Sequence, residues 1–114
     1  MLGFPLSYES KDVVAIAGSF DATNTTVAAQ RGSGFVAARS GTGTYTVTFT
    51  DAYPDYIAFV ATGEDSSNDD KLAQVRSFSA KVLTIAIITG AGADADGNAT
   101  TRINFLALFR KSTV

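Results

Sequence analysis

The chain has 114 residues, of which 46% are hydrophobic and 18% charged; its formal net charge is −2, and it contains no cysteine, histidine or tryptophan. That length supports one core, held by packing alone because disulfides and thiolate metal sites are excluded. The missing histidine and cysteine remove the commonest general base and the thiol nucleophile, and nine Lys and Arg scattered along the chain offer no phosphate-tracking surface for nucleic acid.

Residues 1–11 carry Leu2, Phe4, Leu6 and Tyr8 at alternating positions, with Pro5 and Glu9 interrupting any long apolar run. They read as an extended N-terminal arm able to lie in a groove or add a strand to a neighbour, not as a secretory signal. The rest, residues 12–114, reads as one domain. No apolar run approaches the ~20 residues that a membrane-spanning helix needs, so no membrane is expected as a partner.

Turn residues then punctuate the chain at the regular spacing of an all-β fold. Strands are expected over Val13–Phe20, Phe35–Arg39, Thr44–Thr50, Tyr56–Thr62, Ala73–Ser79, Val82–Thr89 and Arg102–Arg110, with Thr25–Gln30 a loop or an edge strand. Tyr45, Val47 and Phe49 alternate strictly with Thr44, Thr46, Thr48 and Thr50, the period of a strand with one buried face. Together these give an antiparallel β-sandwich, jelly-roll-like, of seven or eight strands.

Three segments are apolar on both faces. In the fourth expected strand Ile57, Phe59 and Ala61 oppose Ala58 and Val60; later Leu83, Ile85 and Ile87 oppose Val82, Ala86 and Ile88, and Leu106 and Leu108 oppose Ile103, Phe105, Ala107 and Phe109. A sandwich sheet covers only one of its faces. A chain this short has no third layer, so Leu83, Ile85, Ile87, Leu106 and Leu108 are candidates for a subunit interface.

Side chains with chemistry are few. Glu64, Asp65, Asp69 and Asp70 pair carboxylates in a loop that reads as a solvated turn, although a carboxylate hydrolase would need such a set. Asp94, Asp96 and Asn98 alternate as oxygen ligands of a calcium loop do, but Ala99 and Phe105 stand where that pattern requires glycine and a bidentate glutamate. No cofactor is expected. The glycines at 32, 34, 41 and 43 precede no helix and read as turn residues; Asn24 and Asn98 fall in glycosylation sequons. Tyr53 and Tyr56, flanking Pro54, offer rings for a sugar or a partner's pocket.

The run RGSGFVAARSGTGTYTVTFTDAYPDYIAF, Arg31 to Phe59, with GTGTYTVTFTDAYP at its centre, and the final TRINFLALFRKSTV resemble a pattern of tailed-bacteriophage virion structural proteins, notably capsid decoration proteins and the β-rich ends of tail fibres. The two runs cover about half the chain. The resemblance implies a protein, often trimeric, on the virion's capsid surface, bound to the major capsid protein and reinforcing capsomer contacts. Leu2, Phe4, Leu6, Tyr8, Tyr53 and Tyr56 are then the candidates for capsid contact. The alternative it implies is a receptor- or carbohydrate-binding tip domain of a tail fibre. The same pattern looks like H-type lectin domains, whose sugar-site tryptophans this chain lacks.

Overall fold

A computed structural model describes residues 13–23, 26–65, 71–90, 92–97 and 100–111. Among these residues the chain forms eight strands and no helix: β1 (Val13–Ala22), β2 (Val27–Arg31), β3 (Phe35–Gly41), β4 (Thr44–Phe49), β5 (Asp55–Asp65), β6 (Leu72–Ser79), β7 (Val82–Ile88) and β8 (Thr101–Arg110). They make two four-stranded antiparallel sheets, β2-β1-β8-β5 and β3-β4-β7-β6, packed face to face as a β-sandwich. Hairpins join β1 to β2, β3 to β4 and β6 to β7; the remaining connections cross between sheets.

Alternation decides which side chains meet in the middle. On β4, Tyr45, Val47 and Phe49 are 0–1% exposed while Thr44, Thr46 and Thr48 face outward. On β8, Thr101, Ile103, Phe105, Ala107 and Phe109 point in, and Arg102, Asn104, Leu106, Leu108 and Arg110 point out. The two inner faces interlock through aromatic rings: Phe49 lies edge-on to Phe109 at 4.9 Å and to Phe105 at 6.2 Å, and Phe35 meets Phe105 edge-on at 4.8 Å. Such edge-to-face pairs add to the burial of the rings themselves. Gly18 makes room for this cluster, since a Cβ there would stand 2.3 Å from the Phe35 ring.

Of the Thr25–Gln30 segment, the residues from Val27 on belong to an edge strand, β2, which pairs with β1 through a register shift marked by Ala29 at φ +50°. Its Gln30 amide reaches across to the other sheet, donating to the Phe35 carbonyl at 2.8 Å and accepting from the Ala37 N–H at 3.0 Å. The amide thus occupies the edge of β3 as a peptide of another strand would, which blunts that edge against pairing with another chain.

Two expectations about faces need correction. Leu83, Ile85 and Ile87 are 0–1% exposed within this one chain, packed against residues of both sheets, so they are not available to a second subunit. In β5 the alternation breaks: a bulge between Tyr56 and Ala58 throws Ile57 outward, 49% exposed, and leaves Tyr56 and Phe59 on the same inner side. A bulge adds one residue to one strand only, so everything before it changes face.

Candidate interaction surface

The outer face of the β2-β1-β8-β5 sheet carries the side chains that the core does not use. Antiparallel register sets β1 beside β8 in a ladder: Ala15 opposite Leu108, Ala17 opposite Leu106, Ser19 opposite Asn104 and Asp21 opposite Arg102. On the other side of β8, Ala58, Val60, Thr62 and Glu64 take the same four levels. Because successive levels on one face are two residues apart, the chemistry grades along the sheet from apolar to charged. Val60 is 55% and Leu106 38% exposed, and with Leu108, Ala15, Ala17 and Ala58 they form one apolar band. A shallow depression of about 220 Å³ opens beside it, lined by Val60, Thr62, Asn104, Phe105 and Leu106.

At the charged end four strands contribute one residue each. The Arg31 guanidinium donates to Asp21 Oδ1 at 2.9 Å and to Ser19 Oγ at 3.2 Å; Arg102 Nε reaches the same Asp21 oxygen at 3.3 Å, and its Nη1 lies 3.8 Å from Glu64. Asn104 donates to Glu64 at 3.3 Å. Charge therefore alternates across the sheet, plus on β2, minus on β1, plus on β8, minus on β5. The hydrogen bond from Arg31 holds the Asp21 carboxyl below its ordinary value against the opposing effect of desolvation, with Arg102 adding to the lowering.

The other candidate residues divide by location. Leu106 and Leu108 lie on this face. Tyr53 is stacked on Phe109 at 4.8 Å, closing the end of the core, where burial pushes its hydroxyl pKa up. Tyr56 is stacked on Phe59 at 4.8 Å and edge-on to Phe78, yet remains 48% exposed. Leu2, Phe4, Leu6 and Tyr8, together with Asn98, Asp69 and Asp70, lie outside the described residues. Glu64 and Asp65 are sequence neighbours on a strand and so point to opposite faces, Glu64 joining the charge ladder and Asp65 accepting from the Thr100 and Thr101 hydroxyls.

The calcium-like spacing of Asp94 and Asp96 is taken up by arginines instead. Asp94 accepts from Arg76 at 2.7 Å; Asp96 accepts from Arg39 through both oxygens, at 3.1 and 2.8 Å, and from the Gly43 N–H at 2.7 Å. The two carboxylates thus attach one loop to two different strands rather than converging on a point, and no three ligand-type side chains cluster among the described residues. The Arg39 hydrogen bond, aided by the Gly43 N–H and opposed by desolvation, holds the Asp96 carboxyl below its ordinary 3.8. A carboxyl with a lower pKa folded than unfolded stabilises the fold above the unfolded value, and that contribution is lost as pH falls through the folded one. Asp96→Asn is therefore expected to unfold at lower urea concentration at pH 7, but to lose less of its remaining stability than the unaltered chain as the pH falls below the ordinary 3.8 of the carboxyl.

Sequence reasoning did not single out Asp21, Arg31, Val60, Ala15 and Ala17 for this face. The outward set Arg102, Asn104, Leu106, Leu108 and Arg110 was readable by its period of two; its neighbours across the sheet required the register. No family model, no curated protein and no solved structure matches this chain.

Proposed function

We propose that the chain is a decoration protein of a tailed-bacteriophage virion, binding the major capsid protein at the capsid surface as a homo-oligomer and reinforcing contacts between capsomers. The observation that supports this reading above others is the outward apolar band of Leu106, Leu108, Val60 and Ala17 on a rigid sandwich whose charged side chains largely pair with one another. An assembly protein needs complementary surface more than polar chemistry, and a contiguous exposed apolar patch marks such surface. The resemblance of Arg31–Phe59 and of the C-terminal strand to virion proteins points the same way and implies three copies. Capsids of the same phage lacking the protein are the test. Adding it back is expected to saturate at a fixed copy number and raise the temperature at which DNA is released; no binding, or binding with unchanged release, would contradict the reading.

The tail-fibre alternative keeps one specific support, the half-exposed Tyr56 ring backed by Phe59. Tyr53 contributes less to it because its ring is spent on Phe109.

A further inference from the structure

The outer face of the β2-β1-β8-β5 sheet has a property that a generic sticky face lacks: it is complementary to itself. Across the line between β1 and β8, each level sets unlike partners side by side. Ala15 lies beside Leu108 and Ala17 beside Leu106, a small residue against a large one; Ser19 lies beside Asn104; Asp21 lies beside Arg102. The outer strands extend the alternation, with the Arg31 guanidinium on one side and Glu64 on the other.

We infer that this face binds a second copy of the chain about a two-fold axis running parallel to the strands, midway between β1 and β8. That rotation exchanges the two strands while keeping each level. Leu106 of one copy then covers Ala17 of the other, Leu108 covers Ala15, Asn104 meets Ser19 and Arg102 meets Asp21; Arg31, paired with Ser19 on β2, comes to the level of Thr62, one level before Glu64. An axis along β8 itself would instead stack Arg102 on Arg102 and Asp21 on Glu64, which like charges in contact disfavour. A two-fold contact uses one patch twice, so unlike chemistry arranged symmetrically about a line is what it requires.

Strands β1 and β8 face the other copy over about nine residues at ~3.3 Å each, whereas the five-residue β2 faces β5 over its shorter length. With strands ~4.8 Å apart this gives roughly 430 Å² per copy, or about 860 Å² for the pair. That is somewhat under the about 1,000 Å² of a stable specific interface, the scale of a weak contact that forms as concentration rises. Facing sheets cross at about 30°, so the levels of Ala17 and Ser19, near the middle of β8, keep the closest register. The apolar levels supply the burial, and the charged level fixes which way the two copies face.

The inference rests on the assembly reading but sets two copies where the resemblance to virion proteins implies three, and its test contains no capsid. A dimer that leaves capsids unaffected would remove the decoration role alone, whereas capsid binding by a protein lacking this contact would remove the two-fold pairing alone. The experiment is sedimentation equilibrium on the full chain and three variants, each checked for folding by its circular-dichroism melt. Asp21→Arg and Arg102→Asp place like charges across the interface; each is expected to weaken the dimer at least tenfold. Their equimolar mixture is expected to recover a heterodimer, because every 21–102 contact in it joins arginine to aspartate. Leu106→Lys is expected to weaken the dimer about thirtyfold or more, the scale of an interface hot spot. A monomeric unaltered chain, a trimer, an oligomer indifferent to Leu106→Lys, or a mixture of folded charge variants that stays monomeric would each overturn the inference. Should Asp21→Arg fail to fold after losing its Arg31 partner, Leu106→Lys, at an outward position, still decides it.

Discussion

Replacing Phe49 with alanine is expected to cost about 4 kcal/mol of unfolding free energy, the usual scale for removing a buried phenylalanine. Phe49 is 1% exposed, and its ring contacts those of Phe78, Phe105 and Phe109, so it joins the two sheets at the end where the aromatic cluster is densest. Three neighbouring rings held by their own strands cannot all collapse into the space, and the residual cavity adds to the lost transfer energy. A domain of this size has roughly 5–15 kcal/mol in total. The melting temperature should fall by about 15 °C or more, and urea unfolding should show a lower midpoint with an unchanged slope. Val36→Ala, at a position 63% exposed, is the control and should stay within about 0.5 kcal/mol. An equal loss at both sites would mean that the aromatic cluster is not the centre of the core.

Gly97→Ala is expected to destabilise by about 3 kcal/mol, at the upper end of the range for overpacking. A Cβ at Gly97 would lie 2.0 Å from the Ala22 carbonyl oxygen and 2.8 Å from Thr101 Cβ. The first obstacle is backbone at the end of β1, where Ala22 is paired with Val27, so relief requires moving a strand and not turning a side chain. The same shift would disturb the weak hydrogen bond from the Gly97 N–H to the Tyr45 hydroxyl, at 3.4 Å. Gly41 gives the contrast: nothing lies within 4 Å of a Cβ there, and Gly41→Ala should be close to neutral. Denaturant titration of the two variants separates them; matching effects would contradict the close approach of the 92–97 loop to β1.

What could be read from the chain alone follows the reach of each interaction. The Thr44–Thr50 alternation fixed both faces of β4 because one strand's pattern contains its own information. All seven expected strands formed, with small shifts at their ends. Facing was harder. Leu83, Ile85 and Ile87 looked like surplus apolar surface, yet they pack against the opposite sheet, and no local pattern tells a face that meets a partner sheet from one that meets a partner chain. The β5 bulge at Ile57 carries no glycine or proline to announce it. The turn between β6 and β7 places Ala80 and Lys81 at φ +51° and +73°, where glycine or asparagine is the usual signal, so its two-residue length was hidden. For the interaction surface, Leu106 and Leu108 were legible by period, whereas Asp21, Ala17 and Val60 join them only through strand pairings of high sequence separation. The arginine partners of Asp94 and Asp96 were hidden for the same reason: Arg39 and Asp96 are 57 residues apart.

The central claim is that the outer face of the β2-β1-β8-β5 sheet is the chain's binding surface and binds first to itself. The most direct measurement is the solution mass of the unaltered chain by light scattering across a hundredfold range of concentration. The account predicts a mass approaching twice the 11.9 kDa of one copy as concentration rises. A mass that stays at one copy throughout would contradict it.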